Sequence, residues 1–270
     1  MMPFLRSIAF NVVFYGWTAL FCVLLSWMLL LPKRWMLPAV RWYLRSVTVI
    51  ERVFADLRWE LRGAENLPAG PCIVAQKHQS AWETMKLHAL FDDPAIVYKR
   101  ELGFIPLWGW FLRKVRMIPI DRGGKGRAIQ SLLAGARAVV AEGRPIVIYP
   151  QGTRTAPGTW IPYRAGISVL YETLNLPVVP IALNSGMYWA RRSFRKRAGT
   201  IVVEVLPPIP PGLDRETFVR TLVDRLETAT DRLVAEAGGP PTPRPASFEV
   251  PRKTAPRTAS SPSSVDNGVE

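Results

Sequence analysis

Cysteine and histidine are scarce in this sequence, and their scarcity limits the chemistry that the chain can carry. The 270 residues include two cysteines and two histidines. Cys22 lies in an apolar run and Cys72 in a predicted strand, so we expect no disulfide and a reducing compartment. No spacing typical of a metal site occurs, and we predict no metal or other cofactor. The G-x-S-x-G pattern of a serine nucleophile elbow is also missing.

Acidic residues are outnumbered, and this imbalance predicts an anionic partner. Lysine and arginine total 35 against 21 aspartate and glutamate residues, which gives a net charge of +14. Such a balance is typical of proteins that bind nucleic acid, an anionic membrane or phosphate-bearing substrates. Residues 238–270 hold seven prolines and eight serine or threonine residues without apolar periodicity, and we predict a disordered tail there.

A long uncharged run near the N-terminus predicts membrane attachment. No charged residue occurs from Ile8 to Leu31, and a helix of this length would measure about 36 Å, enough to cross a bilayer. Pro32 and two basic residues follow the run, where a signal peptide would have a small-residue cleavage site. Basic residues are more numerous after the run than before it, which predicts an inner (plasma) membrane protein with its remainder in the cytoplasm. A helix that enters the membrane and returns is an alternative.

The next stretch, residues 35–60, interleaves aromatic and basic side chains at roughly helical spacing. This pattern predicts an amphipathic helix in the lipid interface, and an amphipathic core helix is the alternative. Residues 1–62 are therefore interpreted as a hydrophobic, membrane-embedded helix pair. Because no nucleic-acid-binding module is recognisable, we expect no nucleic acid partner.

Residues 63–237 alternate between strand and helix patterns, which predicts an α/β domain. The expected fold is a mixed, largely parallel sheet flanked by helices. Apolar runs such as 146–148 are typical of strands covered on both faces. Strands are predicted at 72–76, 95–98, 116–120, 146–149, 178–183 and 201–206, and helices at 83–91, 107–114, 126–141, 165–174 and 215–236.

The segment 77–84, Lys-His-Gln-Ser-Ala-Trp-Glu-Thr, follows the first of these strands and holds a candidate acid–base pair. A neutral His78 imidazole could accept a proton from a hydroxyl, and the Glu83 carboxylate could orient its other ring nitrogen. The alternative is structural, because Ser80 and Glu83 have capping-box spacing. With no serine elbow and no cysteine beside His78, the pair suits activation of a substrate hydroxyl better than activation of an enzyme nucleophile.

Three further blocks lie at the ends of predicted strands, where α/β sheets place their sites. They cover residues 98–102, running on through Pro106 and Gly109, then residues 149–155 and residues 177–182. In the middle block, Gly152 allows the backbone to approach an anion and Arg154 offers a bidentate guanidinium for phosphate. The candidate substrate-binding residues are Lys99, Arg100, Arg122, Gln151, Gly152, Thr153 and Arg154.

In order and spacing, the four blocks resemble those of the glycerolipid acyltransferase family, and most closely its 1-acylglycerol-3-phosphate acyltransferases. The resemblance implies that His78 is a general base and Glu83 its orienting carboxylate. A lysophospholipid hydroxyl would then attack the thioester of an acyl-CoA or acyl-carrier protein directly, without an acyl-enzyme. The block at 177–182 would line an apolar pocket for an acyl chain, and a plain core strand is the equally good alternative.

Two positions depart from the family's usual pattern. Glu83 stands where most members have aspartate, and Gln151 stands where most have glutamate. The second change leaves another lyso-lipid, such as a lyso-aminolipid, as an alternative acceptor. A non-catalytic membrane-binding protein is a third hypothesis. The basic run 191–197 is expected to contact anionic headgroups or an acidic acyl-carrier protein, and a solvated loop is the alternative.

Overall fold

The elements of the chain alternate along most of its length, as the sequence pattern predicts. The structure is a computed structural model that describes residues 2–121, 125–245, 247, 248 and 250. The helices are α1 (Met2–Leu24), α2 (Lys33–Ile50), α3 (Trp82–Leu90), α4 (Trp108–Lys114), α5 (Lys125–Ala141), α6 (Ala165–Leu174) and α7 (Arg215–Glu236). The strands are β1 (Leu57–Arg62), β2 (Ile73–Gln76), β3 (Ala95–Lys99), β4 (Ile118–Ile120), β5 (Ile146–Ile148), β6 (Val178–Leu183) and β7 (Gly199–Val205).

The described strands form one sheet of order β1-β7-β6-β2-β5-β3-β4. Every neighbouring pair is parallel except β6 and β7, which are antiparallel. The predicted mixed, largely parallel sheet flanked by helices is therefore confirmed. Because β2 lies in the middle of the sheet, the loop that follows it opens beside the ends of the parallel strands β5 and β6.

Helices cover both faces of the sheet, and the side chains of β2 alternate between the two layers. Ile73 and Ala75 pack in the core that contains α5, α6 and α7. Val74, between them, packs in the second core with α1, α2 and α3. Since both faces are covered, β2, β5 and β6 consist almost entirely of buried residues, as expected of central parallel strands.

The region after α2 is not helical throughout, which corrects the helix predicted over residues 35–60. A π-helical turn, Glu51–Ala55, follows α2, and Asp56 then adopts a left-handed conformation with φ of 50°. Strand β1 begins at Leu57 and pairs with β7 about 140 residues later. The alternation of apolar and charged residues in β1 is typical of a strand. The helical segment before it has the same aromatic and basic composition, so composition does not show where the helix ends and the strand begins.

The uncharged N-terminal run is also divided. Helix α1 ends at Leu24, and a 3-10 turn (Ser26–Leu30) leads to Pro32 and α2. One helix among the described residues, Phe4–Leu24 with mean hydropathy 1.8, is long and apolar enough to cross a membrane. Helix α1 nevertheless packs on the domain: the Phe10 ring meets Trp189 edge-on at 5.1 Å, and Asn11 donates to the Phe194 carbonyl at 2.9 Å.

The first residues of the predicted tail contact the domain. Arg244 forms an ion pair with Asp231 of α7 at 2.8 Å, and the Phe248 ring lies 5.8 Å from that of Trp160. Residues 251–270, over which most of the disorder was predicted, lie outside the described residues. The division into residues 1–62, 63–237 and 238–270 stays a prediction.

Candidate active site

His78 and Glu83 lie together at the end of β2. The His78 Nδ1 atom is 2.8 Å from Glu83 Oε1, and the His78 side chain is 16% exposed while Glu83 is fully buried. Since Glu83 stands in the first turn of α3, the intervening loop folds back on the helix. A neutral imidazole whose Nδ1–H donates to a carboxylate keeps the lone pair of Nε2 available to accept a proton.

The same carboxylate also caps the start of α3. Glu83 Oε1 accepts from the backbone N–H groups of Gln79 and Ser80, each at 2.8 Å. The Ser80 hydroxyl in turn accepts from the Trp82 N–H at 3.1 Å. The capping contact and the histidine contact, which the sequence left as alternatives, are thus made by one oxygen.

The second oxygen of Glu83 is held by a residue far along the chain. The Ser185 hydroxyl, in the 3-10 turn after β6, donates to Glu83 Oε2 at 2.8 Å, and both residues are fully buried. The adjacent Gly186 N–H donates to the Gln79 side-chain oxygen at 2.9 Å. The turn after β6 therefore fixes both the carboxylate and the loop that carries His78.

Lys77 anchors the residue before His78 to helix α7. Its ammonium contacts both oxygens of Glu227 at 2.7 and 2.8 Å, and the Tyr163 hydroxyl donates to the same carboxylate at 2.7 Å. Burial lowers the pKa of Lys77, although the Glu227 carboxylate opposes the shift. A buried charge pair with satisfied oxygens gives the end of β2 a fixed position.

The block at residues 149–155 packs directly on the histidine. The Tyr149 ring stacks on the His78 imidazole with centroids 3.9 Å apart, and the Thr155 N–H donates to the His78 carbonyl at 2.8 Å. Gly152 has φ of +68°, a conformation that favours glycine. Burial, and secondarily the Glu83 charge, raise the pKa of Tyr149 well above its usual value, so its hydroxyl stays protonated.

A cavity of about 510 Å³ lies beside this cluster. His78, Lys99, Arg154 and Arg191 are among the charged and polar side chains of its wall. Most of the remaining lining is apolar and comes from α1, α2, β3, α4 and the start of α3, including Phe21, Leu44, Met85, Ile96 and Phe111. The shape and lining are those of a site for an amphiphile with one anionic end.

The structure brings some of the predicted binding residues to this cavity and not others. Lys99, Gly152, Thr153 and Arg154 line it. Gln151 does not: it is buried, and its amide donates to the Ile161 carbonyl at 3.4 Å within its own loop. Arg100 is also absent from the lining and pairs with Asp121 at 3.3 Å. Arg122 lies outside the described residues.

Three residues near the site were not among the sequence candidates. Arg191 donates to the Arg154 carbonyl at 2.9 Å and lines the cavity, and the basic run 191–197 was the signal that could have placed it there. Tyr149 stands in the block 149–155, but an aromatic residue directly after a strand is equally typical of a buried core position. Ser185 carries no local signal, because it meets Glu83 only through the order of β2 and β6 in the sheet.

Sequence comparison shows the same region to be shared with known proteins. The sequence model of the family described as "Acyltransferase" matches residues 58–184. The 1-acyl-sn-glycerol-3-phosphate acyltransferase of Pseudomonas aeruginosa is 35% identical over 187 residues, which cover 69% of this chain and 73% of that protein. This chain belongs to the acyltransferase family.

A human protein is similar to this acyltransferase in sequence, and a bacterial crystal structure is similar to it in fold. The human 1-acyl-sn-glycerol-3-phosphate acyltransferase beta is 29% identical over 194 residues, covering 70% of this chain and 68% of that protein. The crystal structure of the 1-acyl-sn-glycerophosphate acyltransferase PlsC from Thermotoga maritima has the same fold, with a TM-score of 0.67 at 18% identity. That match covers 87% of this chain and 98% of the other, which shows a shared fold. The predicted family is confirmed by the family model and the Pseudomonas relative.

The matched region of this acyltransferase contains one part of the site but not all of it. His78, Glu83 and the block 149–155 fall within residues 58–184. Ser185, Arg191 and Glu227, which hold or flank that part, lie beyond it. The contacts around the acid–base pair therefore join the shared region to the C-terminal part of the chain.

Proposed function

We propose that this acyltransferase moves an acyl group from acyl-CoA or an acyl-carrier protein to the free hydroxyl of 1-acylglycerol-3-phosphate, forming phosphatidic acid. One observation carries the proposal: an oriented His78 imidazole shares an amphiphile-shaped cavity with the guanidinium groups of Arg154 and Arg191. The substrates named in its relatives, which are 1-acyl-sn-glycerol-3-phosphate acyltransferases, have that combination of an apolar chain and a phosphate.

The reaction follows from the tautomer that Glu83 selects. The His78 Nε2 lone pair takes the proton of the acceptor hydroxyl as its oxygen attacks the thioester carbonyl. The imidazolium that forms is stabilised by the Glu83 carboxylate at 2.8 Å. The tetrahedral intermediate then breaks its C–S bond, and the departing thiolate takes the proton from His78. Acyl transfer is direct, and no acyl-enzyme forms.

The acceptor is held at both of its ends. We assign its phosphate to Arg154 and Arg191, which line the cavity together with His78. Its acyl chain lies against the apolar lining from α1, α2 and α4. Lys99 is a weaker candidate because it already pairs with Glu101 at 3.0 Å.

We do not retain the alternative of a different lyso-lipid acceptor. That alternative rested on Gln151 in place of a charged residue, but the Gln151 side chain is buried in its loop and does not line the cavity. A neutral residue there changes the charge inside the loop rather than at the headgroup. Lysophosphatidic acid is therefore the acceptor we propose.

Membrane attachment is proposed on the cytoplasmic face of the inner membrane. Helix α1 carries an exposed apolar side, with Val12 and Tyr15 about two-thirds exposed, while its other side packs on the domain. A helix that leans on the domain along its length favours insertion into one leaflet over a complete crossing. The net charge of +14 suits an anionic lipid surface.

An assay on purified protein tests the reaction. With lysophosphatidic acid and acyl-CoA or acyl-carrier protein, His78→Ala should lower kcat by a factor on the order of 10²–10⁴, since the general base is lost. Arg154→Gln should raise KM for lysophosphatidic acid more than for a lyso-lipid without phosphate. Arg137→Gln, at an exposed position on α5, is the matched control. Full activity of His78→Ala would refute the mechanism.

A further inference from the structure

Large apolar side chains are exposed in only a few segments of the described chain. Helices α5, α6 and α7 contribute none of them. Most belong to α1, α2 and the turns that follow each helix, and Phe194 lies beside α1. The remaining group is separate in sequence and belongs to the catalytic domain: Leu102, Phe104, Ile105, Trp108 and Trp110. We call residues 102–110, which run into the first residues of α4, the aromatic loop.

The composition of the aromatic loop suits a lipid interface. Phe104 is 66% exposed and Trp110 is 47% exposed. The surface of a soluble monomeric protein rarely exposes a cluster of large apolar side chains. No acidic residue occurs from Leu102 to Lys114, and Arg113 and Lys114 end the segment. Tryptophan beside arginine and lysine is the composition found where a protein meets the headgroup region of a membrane.

The backbone of the aromatic loop has an unusual, closely packed conformation. Leu107 has φ of 59° and ψ of −62°, and the Trp108 N–H donates to the Pro106 carbonyl at 2.7 Å, which together define a classic γ-turn, a strained conformation. Gly109 lies so close to Gly103 that a Cβ on it would be 2.2 Å from the Gly103 carbonyl oxygen. Strain that is retained in this way is typical of functional segments.

The aromatic loop is continuous with the apolar surface of the N-terminal helices. Met28 and Leu29, in the turn between α1 and α2, pack in one cluster with Phe111 of α4. The same turn exposes Leu30 to 88%. The cavity lies between the two elements, since Phe21 and Leu44 line it from the helix pair and Leu102 and Trp108 line it from the loop.

We propose that the aromatic loop is a second membrane-inserting element, which enters the same leaflet as α1 and forms the other side of the opening through which a lyso-lipid's acyl chain reaches the cavity. The occupant of this surface is the acyl region of an anionic lipid leaflet. The proposal rests on the proposed function, because it takes the acceptor to be a membrane lipid. It adds a contact that the helix pair alone does not provide.

Cysteine-attached probes on the full chain test the insertion. Both native cysteines are buried, so an environment-sensitive thiol dye can be placed at one engineered position at a time. The positions are Phe104→Cys in the aromatic loop, Val12→Cys on α1 and Asp224→Cys on the exposed side of α7. Each labelled protein is mixed with vesicles of phosphatidylglycerol and phosphatidylethanolamine, with and without bromine on the lipid chains.

At positions 12 and 104 we expect a blue shift of the dye emission and quenching of its fluorescence by brominated lipid chains. At position 224 we expect neither change. If only position 12 responds, the aromatic loop stays in water and this proposal is overturned, while membrane attachment through α1 stands. If no position responds, both membrane proposals fail. The acyl transfer reaction is judged separately by His78→Ala, so the failures are distinguishable.

A kinetic measurement provides a second readout. Phe104→Ser and Trp110→Ser change exposed residues that do not line the cavity. The double variant should lower the rate on lysophosphatidic acid embedded in vesicles about tenfold, because it loses apolar surface that enters the leaflet. Its rate on a monomeric, short-chain lysophosphatidic acid should be unchanged. Equal losses on both substrates would contradict the proposal.

Discussion

At the scale of single residues, the site is organised around the two oxygens of Glu83. Oε1 contacts His78 and two backbone N–H groups, and Oε2 accepts from Ser185. A buried carboxylate with this many partners is confined to one orientation, and the imidazole follows it. Ser185 is not part of the cavity lining, and its hydroxyl bonds Glu83, so we expect it to act as a positioning residue.

Ser185→Ala should reduce kcat about tenfold and leave KM for lysophosphatidic acid nearly unchanged. The substitution removes one hydrogen bond to a charged group, worth about 1.5 kcal/mol, and frees Glu83 to rotate. Ser185→Thr, which retains a hydroxyl, should recover part of the rate. Ser168→Ala is the matched control, since that buried hydroxyl donates to its own helix at Ala165. A loss that falls on KM would contradict the positioning role.

His88 should make the protein less stable in mild acid. Burial lowers the pKa of His88 to about 4, so the folded state resists protonation while the unfolded state protonates near pH 6.5. The unfolded state therefore binds more protons between pH 6.5 and 4, and stability falls as the pH falls through this range. Its contribution to the loss is about 2 kcal/mol at pH 5.

The comparison of His88→Leu with the parent chain isolates this contribution. Urea unfolding in detergent should show a smaller loss of free energy between pH 7 and pH 5 for the variant. Because His88 lines the cavity, stability rather than activity is the measurement. The same pH dependence in both proteins would exclude His88 as its source.

At the scale of elements, a buried ion pair joins the catalytic helix α3 to the N-terminal helices. The Lys86 ammonium contacts Glu51 Oε2 and the Thr48 hydroxyl, each at 2.7 Å. Glu51 belongs to the π-helical turn after α2, so the pair fixes α3 against the segment that leads into β1. Removing one partner leaves the other charge buried without compensation.

Lys86→Met should therefore destabilise the fold by about 3–5 kcal/mol, and Lys86→Met with Glu51→Met by clearly less. The comparison is made by chemical unfolding of the three proteins. Arg220→Met serves as the surface control, because its exposed pair with Glu216 contributes only about 0.5 kcal/mol. Equal destabilisation by the single and double variants would show that packing, not charge, dominates.

At the scale of the whole molecule, apolar exposure and part of the basic charge lie on the same side. The basic run 191–197 contacts α1 through Phe194 and Lys196, and it also supplies Arg191 to the cavity. An anionic leaflet that receives α1 would therefore lie within reach of these cations. Electrostatic attraction of this kind weakens with salt.

Arg192→Gln with Arg197→Gln should weaken binding to phosphatidylglycerol vesicles about thirtyfold, since each exposed cation contributes about 1 kcal/mol near an anionic surface. Binding to neutral phosphatidylcholine vesicles should not change. Arg137→Gln with Arg225→Gln, exposed positions on α5 and α7, is the matched control. A similar loss in the control pair would assign the effect to net charge alone.

The sequence by itself determined the features that depend on neighbouring residues. Strand and helix periods predicted the α/β domain, and the His78–Glu83 pair was visible because five residues and one turn join its members. Only the tertiary structure decided that Ser185 contacts Glu83, that Glu227 pairs with Lys77 and that Arg191 lines the cavity. It also decided that Gln151 turns into its loop and that β1 forms an edge strand with β7. The physical reason is that these contacts depend on the order of strands in the sheet, which no local period encodes.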